Sequence, residues 1–171
     1  MSYDFDVVRI LGEELLGAYE VSSDLKSSGW VGGLWVRYQS VRSWRDGSSI
    51  RWVRILEKAE PDDPMYFLLR GSYEGTDQYT GRYPGKTGIV VASVYGQYLF
   101  KYYETNNLAE RTVPGSGAPL VYYLNANLYV SSNGLLTSEA EVVNARPVGM
   151  CVGLPADNNN YLGCEVLIGP T

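Results

Sequence analysis

The run Pro147-Val-Gly-Met-Cys-Val-Gly-Leu154, the polar loop Pro155-Ala-Asp-Asn-Asn-Asn160 and the return Tyr161-Leu-Gly-Cys-Glu-Val-Leu-Ile168 decide the fold. Two short apolar runs flank a cluster of turn residues, the pattern of antiparallel strands joined by a loop. If that hairpin is symmetric about its loop, Leu154 faces Tyr161 and Cys151 faces Cys164. The first residues carry no basic stretch of the kind that opens an export signal, so the expected folding compartment is reducing. Two buried thiols are therefore expected in place of a disulfide. Just upstream, Asn133-Gly134 separates Asn127-Leu-Tyr-Val-Ser-Ser132 from Leu135-Leu-Thr137. Asn-Gly suits a tight hairpin, whose central positions take positive φ.

Working outward, strands are also expected at 119–124 and, earlier in the chain, at 34–41, 49–57, 65–71, 89–95 and 97–103, each bounded by turn residues. Asp46-Gly47 marks the 34–41 and 49–57 runs as antiparallel neighbours. Val8, Leu11, Leu15 and Tyr19 recur at helical spacing behind Asp4 and Asp6, which predicts a short amphipathic helix ending near Gly17. The serine-rich stretch 21–29 reads as a loop or arm. Asn106-Asn107 and Pro114-Gly-Ser-Gly117 mark 105–118 as a linker. The expected fold is mainly β: small antiparallel barrel or sandwich modules with a short N-terminal helix or arm. Its expected parts are an arm at 1–29, a β module at 30–104, the linker, and a C-terminal β module at 119–171.

Composition excludes whole classes of chemistry. The 171 residues contain no histidine, so Ser/His/Asp, Cys/His and His-ligated zinc arrangements cannot form. Two cysteines cannot supply a tetrahedral thiolate site by themselves. The net charge of −5 disfavours broad binding to phosphate backbones, and the longest apolar runs are too short to span a bilayer. Acid–base chemistry is left to carboxylate pairs such as Asp62/Asp63 or Glu74/Asp77, whose separation a sequence does not reveal. No enzyme activity and no cofactor are expected.

The order Ala118-Pro119-Leu120, Leu128-Tyr129-Val130, Asn133-Gly134-Leu135-Leu136-Thr137, Arg146-Pro147-Val148-Gly149 and Val166-Leu167-Ile168 resembles the capsid decoration, or cement, proteins of tailed bacteriophages. The resemblance covers the last third of the chain. It implies a small β domain on the surface of an assembled virion, bridging neighbouring major capsid proteins, with trimers or dimers common. Some such proteins carry an N-terminal arm that orders on binding, a role open to residues 1–29. The acids there, including Asp4, Asp6, Glu13 and Glu14, would suit a basic partner surface. Residues before about 118 do not fit the compact pattern, so a larger β module precedes it.

That larger module holds the candidate contact residues. Between Trp30 and Arg54 stand five arginines and four tryptophans against a single acid, Asp46, a local net charge of +4. Interleaved Arg and Trp form an interface hot spot, a single-strand nucleic-acid platform, or stacks within their own sheet. Trp35, Arg37, Trp44 and Arg51 are the candidate partner-contact residues from this segment. Tyr79 joins them from the tyrosine-rich loop 71–88, which suggests an alternative function, carbohydrate binding in an adhesin or tail fibre.

Overall fold

The computed structural model describes residues 5–10, 15–16, 19–46, 49–62, 67–69, 91–93 and 96–167. In chain order the first strands are β1 (Phe5–Ile10), β2 (Leu15–Leu16) and β3 (Tyr19–Val21), followed by helix α1 (Ser23–Ser28). Then come β4 (Trp35–Asp46), β5 (Ser49–Lys58), β6 (Phe67–Leu69), β7 (Val91–Ser93) and β8 (Gly96–Phe100). Helix α2 (Leu108–Thr112) precedes β9 (Asn127–Val130), β10 (Leu136–Thr137), β11 (Gly149–Gly153) and β12 (Leu162–Val166). The fold is mainly β, as the alternation of short apolar runs requires.

The strands form two six-stranded sheets among the described residues, one ordered β1-β8-β12-β11-β9-β10 and the other β2-β7-β6-β4-β5-β3. Pairing is antiparallel throughout except for β3 alongside β5. The decisive C-terminal hairpin, β11 with β12, forms with Cys151 opposite Cys164, as expected, and both thiols are free and buried. The register then shifts between Cys151 and Gly153, which pairs with Gly163, so the hairpin is not symmetric up to its loop. β4 and β5 pair antiparallel from Val36↔Lys58 to Asp46↔Ser49, which leaves Gly47 and Ser48 between the strands. Residues 120–124, expected as a strand, belong to none; Pro119 makes only an isolated bridge to Asn106.

The expected N-terminal helix does not form. Residues 5–10 are β1, hydrogen-bonded to β8 from Phe5↔Phe100 to Ile10↔Gly96. Val7, Val8 and Ile10 are β-branched and fit a pleated strand, whereas an isolated helix of a dozen residues is marginal in water. The edge of β8 supplies a ladder interrupted only by a register shift between Val7 and Arg9, and that long-range gain overrides the local spacing. The short helix of this region lies later, at α1, inside the stretch read as a loop. Ser22 Oγ caps it by accepting from the Leu25 N–H at 3.3 Å, and the Gly29 N–H closes it on the Leu25 carbonyl at 2.8 Å.

Residues 105–118, the expected linker, fold back on themselves. The Asn107 N–H donates to the Ala118 carbonyl at 3.1 Å and the Leu120 N–H to the Thr105 carbonyl at 2.8 Å, closing a compact loop around α2. The first sheet takes β1 and β8 from before this segment and β9 to β12 from after it.

The main core lies on one face of the first sheet. Tyr98, Phe100, Leu128, Val130, Leu136, Cys151, Leu162, Cys164 and Val166 are all 1% exposed or less, and Trp35 and Ala59 join them from the base of the second sheet. Backbone bonds fasten that junction. The Trp35 N–H donates to the Gly134 carbonyl at 2.9 Å, and the Ala59 N–H donates to the Trp35 carbonyl at 3.0 Å. Lys58 Nζ reaches the Ser132 carbonyl at 2.5 Å. The tip of the β9–β10 hairpin is thus the joint between the two sheets.

Candidate partner-binding surface

β4 and β5 are the longest strands described, and among the described residues their strand neighbours pair only with their inner ends. β6 pairs with β4 at Trp35 and Val36, and β3 pairs with β5 from Arg54 to Leu56. Beyond Ser40 and Val53, among the described residues, the two strands pair only with each other. They form a two-stranded ribbon about 20 Å long at the usual rise per residue, and this ribbon contains Arg42, Trp44, Arg45, Arg51 and Trp52.

A bulge sets which of these positions share a side. The register runs Arg37↔Glu57 below it and Ser40↔Ile55, Arg42↔Val53 and Trp44↔Arg51 above it, with one extra residue in β4 between Tyr38 and Ser40. In an unbroken strand, odd and even positions alternate sides. The extra residue shifts that parity, so positions 37, 42, 44 and 51 fall on one side of the ribbon. Trp44 and Arg51 are directly opposed partners.

At the foot of the ribbon, Arg37 Nε donates to Glu57 Oε1 at 2.8 Å, both side chains about one-third exposed. Trp35, taken from the sequence as a contact residue, is 1% exposed and lies in the core, where it anchors β4 on the hairpin tip. Tyr79 and the whole loop 71–88, on which the carbohydrate reading rests, lie outside the described residues.

A second cluster was not legible from the sequence. Glu104 is 7% exposed at its side chain, and Oε1 accepts from Arg111 Nη1 at 3.0 Å, Ser131 Oγ at 2.6 Å and Asn133 Nδ2 at 2.8 Å. Arg111 Nη2 also bonds Glu141 Oε1, and Glu141 Oε2 accepts from the Ser132 N–H at 2.8 Å. Glu139 completes the group, 3.8 Å from Arg111 Nη2 and accepting from the Leu108 N–H at 2.7 Å. Three carboxylates thus surround one guanidinium. Each buried charge is met by hydrogen bonds, as burial in a low-dielectric site demands, and the group ties α2 to the β9–β10 tip. Above it, Tyr122 donates to the Glu104 carbonyl at 2.5 Å, and burial raises the pKa of its hydroxyl.

The thiols show no activation. The Cys151 N–H donates to Ala126 and its carbonyl accepts from Asn125, so its backbone faces β9 and its pair with Cys164 is of the non-hydrogen-bonded kind. Burial raises both thiol pKa values, which keeps them protonated at neutral pH. Among the described residues no three Cys, Asp or Glu side chains group to hold a metal, and no helix is long and apolar enough to cross a membrane. No known protein family, curated protein or solved structure matches the chain.

Proposed function

We propose that this chain is a virion structural protein that binds the outside of a phage capsid and cements neighbouring major capsid subunits. The observation that carries the reading is the β4–β5 ribbon: a basic, tryptophan-bearing strand pair in an acidic chain, with positions 44 and 51 opposed in register. Arginine and tryptophan are the residue types that dominate interface energies. Four of the ribbon's neighbouring positions, 42, 45, 51 and 54, are arginines against one acid, so the rest of the chain is more acidic than its total of −5. Charge so divided favours an acidic protein surface over nucleic acid, whose phosphates the remainder would repel. The C-terminal hairpins support the reading through the resemblance of their sequence to decoration proteins.

In this mechanism the ribbon lies across the junction of two capsid subunits while the first sheet provides a rigid base. A contact of standard size buries about 800 Å² on each partner, and lattice symmetry multiplies it over the shell. A dimer or trimer of the chain would add valency. The test is sedimentation with purified capsids of the source phage. Wild-type chain is expected to pellet with expanded shells, and a chain that stays in the supernatant at saturating shell concentration removes the proposal.

A further inference from the structure

The joint between the sheets is also a site of latent chemistry. Asn133 is exposed and is followed by Gly134, the pair in which a backbone nitrogen most readily attacks a side-chain carboxamide, because glycine puts no side chain in the way. In that reaction the Gly134 nitrogen loses its proton and bonds to Asn133 Cγ, and ammonia leaves to give a five-membered imide. Water then opens the ring at either carbonyl, yielding aspartate or isoaspartate. The net change is asparagine plus water to a carboxylate plus an ammonium ion, with no oxidant or reductant.

Two contacts oppose the ring closure, and a third holds the turn in place. The Gly134 N–H donates to the Ser131 carbonyl at 2.9 Å, which retains its proton, and the Asn133 N–H is held by Ser131 Oγ at 3.1 Å. Asn133 Nδ2 donates to Glu104 Oε1 at 2.8 Å. A carboxylate accepting from that N–H pushes electron density into the carboxamide, making Cγ less electrophilic and the amide nitrogen a poorer leaving group. The product cannot keep the arrangement: a carboxylate at 133 would face the Glu104 carboxylate in a cluster already rich in negative charge. An isoaspartyl link would also lengthen the backbone beside Gly134, which is closely packed: a Cβ on Gly134 itself would lie 2.8 Å from Leu34 Cδ1 and from Lys58 Cγ.

We propose that Asn133–Gly134 is a self-modification site held unreacted by Glu104, and that its conversion releases the hairpin tip from β4. The test follows mass and isoaspartate content of the intact chain during incubation in warm, mildly alkaline buffer. Folded wild-type chain is expected to convert at least about tenfold more slowly than the same chain in denaturant, since conversion then requires local opening; equal rates overturn the proposal. Glu104→Ala is expected to accelerate conversion several-fold more than Glu141→Ala, which loosens the same cluster without touching Asn133. Equal acceleration at matched folded fraction overturns the role of Glu104. Should Glu104→Ala not fold, Glu104→Gln, a weaker acceptor, carries the same comparison. For release, hydrogen exchange of the Trp35 amide is the readout. Asn133→Asp is expected to speed that exchange about tenfold, and unchanged exchange contradicts the second half of the proposal.

Discussion

Arg111 is held by two carboxylates that are themselves almost fully buried, Glu104 and Glu141 at 7% and 3% side-chain exposure. Removing the cation leaves both charges in the interior without their partner. Arg111→Ala is therefore expected to cost about 3–5 kcal/mol, a large part of the 5–15 kcal/mol typical of a domain. Glu139→Gln, at a carboxylate one-third exposed, is expected to cost under about 1 kcal/mol. Urea denaturation of the two variants checks the contrast, and equal losses would contradict it. At Glu110, hydrogen bonds from the Gly115 and Gly117 amides hold the carboxyl pKa below its ordinary value. A lowered folded pKa means that the contribution of these bonds is present above the ordinary carboxylate range and is lost as pH falls through the lowered value. The Gly115 and Gly117 amide resonances should titrate with a midpoint below that of a free glutamate; a midpoint at or above it refutes the assignment. Some residue-scale detail is legible in the sequence: the two apolar runs about the loop suggest the pairing of Cys151 with Cys164, which forms, whereas the register shift between Cys151 and Gly153 has no sequence signal. The Glu104 cluster was not. Its members are spread over the 37 residues from Glu104 to Glu141, and charged residues scattered in polar stretches read as solvated until the chain folds.

At the scale of elements, the β9–β10 tip shows how one turn serves two sheets. Ser131 and Gly134 close the turn at 2.9 Å, and Gly134 takes φ +74°, a left-handed conformation that favours glycine. Gly115, at φ +85°, has open space around it, whereas Gly134 packs on Leu34, Lys58 and the Trp35 carbonyl. Alanine at either position carries a left-handed cost of about 1–2 kcal/mol. Gly134→Ala is expected to lose measurably more stability than Gly115→Ala in chemical denaturation; equal losses would mean that docking of the tip on β4 contributes nothing. Strands with their own turn signals were legible because alternation and turn chemistry are local. The N-terminal strands are hidden in the sequence because the alternation in 5–10 breaks at Val7-Val8, where β1 shifts register, and only the distant β8 supplies the pairing. The bulge in β4 was equally hidden, since an extra residue is visible only against its partner strand.

For the whole molecule, the two sheets meet at Trp35, Ala59 and the hairpin tip, and the ribbon extends from that junction. Its base is built into the core and its far positions have no strand neighbours among the described residues, and the proposed capsid contact is assigned to those far positions. Reversing charge at Arg42 and Arg51 together is expected to abolish shell binding while leaving the urea midpoint close to wild type, and wild-type binding should weaken as salt rises. Retained binding by the double variant would place the contact elsewhere. The most direct measurement is a cryo-electron-microscopy reconstruction of expanded capsids saturated with the chain. Density for the 40–53 ribbon is expected across the junction of neighbouring capsid subunits, against an acidic patch; bare shells, or a chain attached with its ribbon in solvent, would rule out the cementing role.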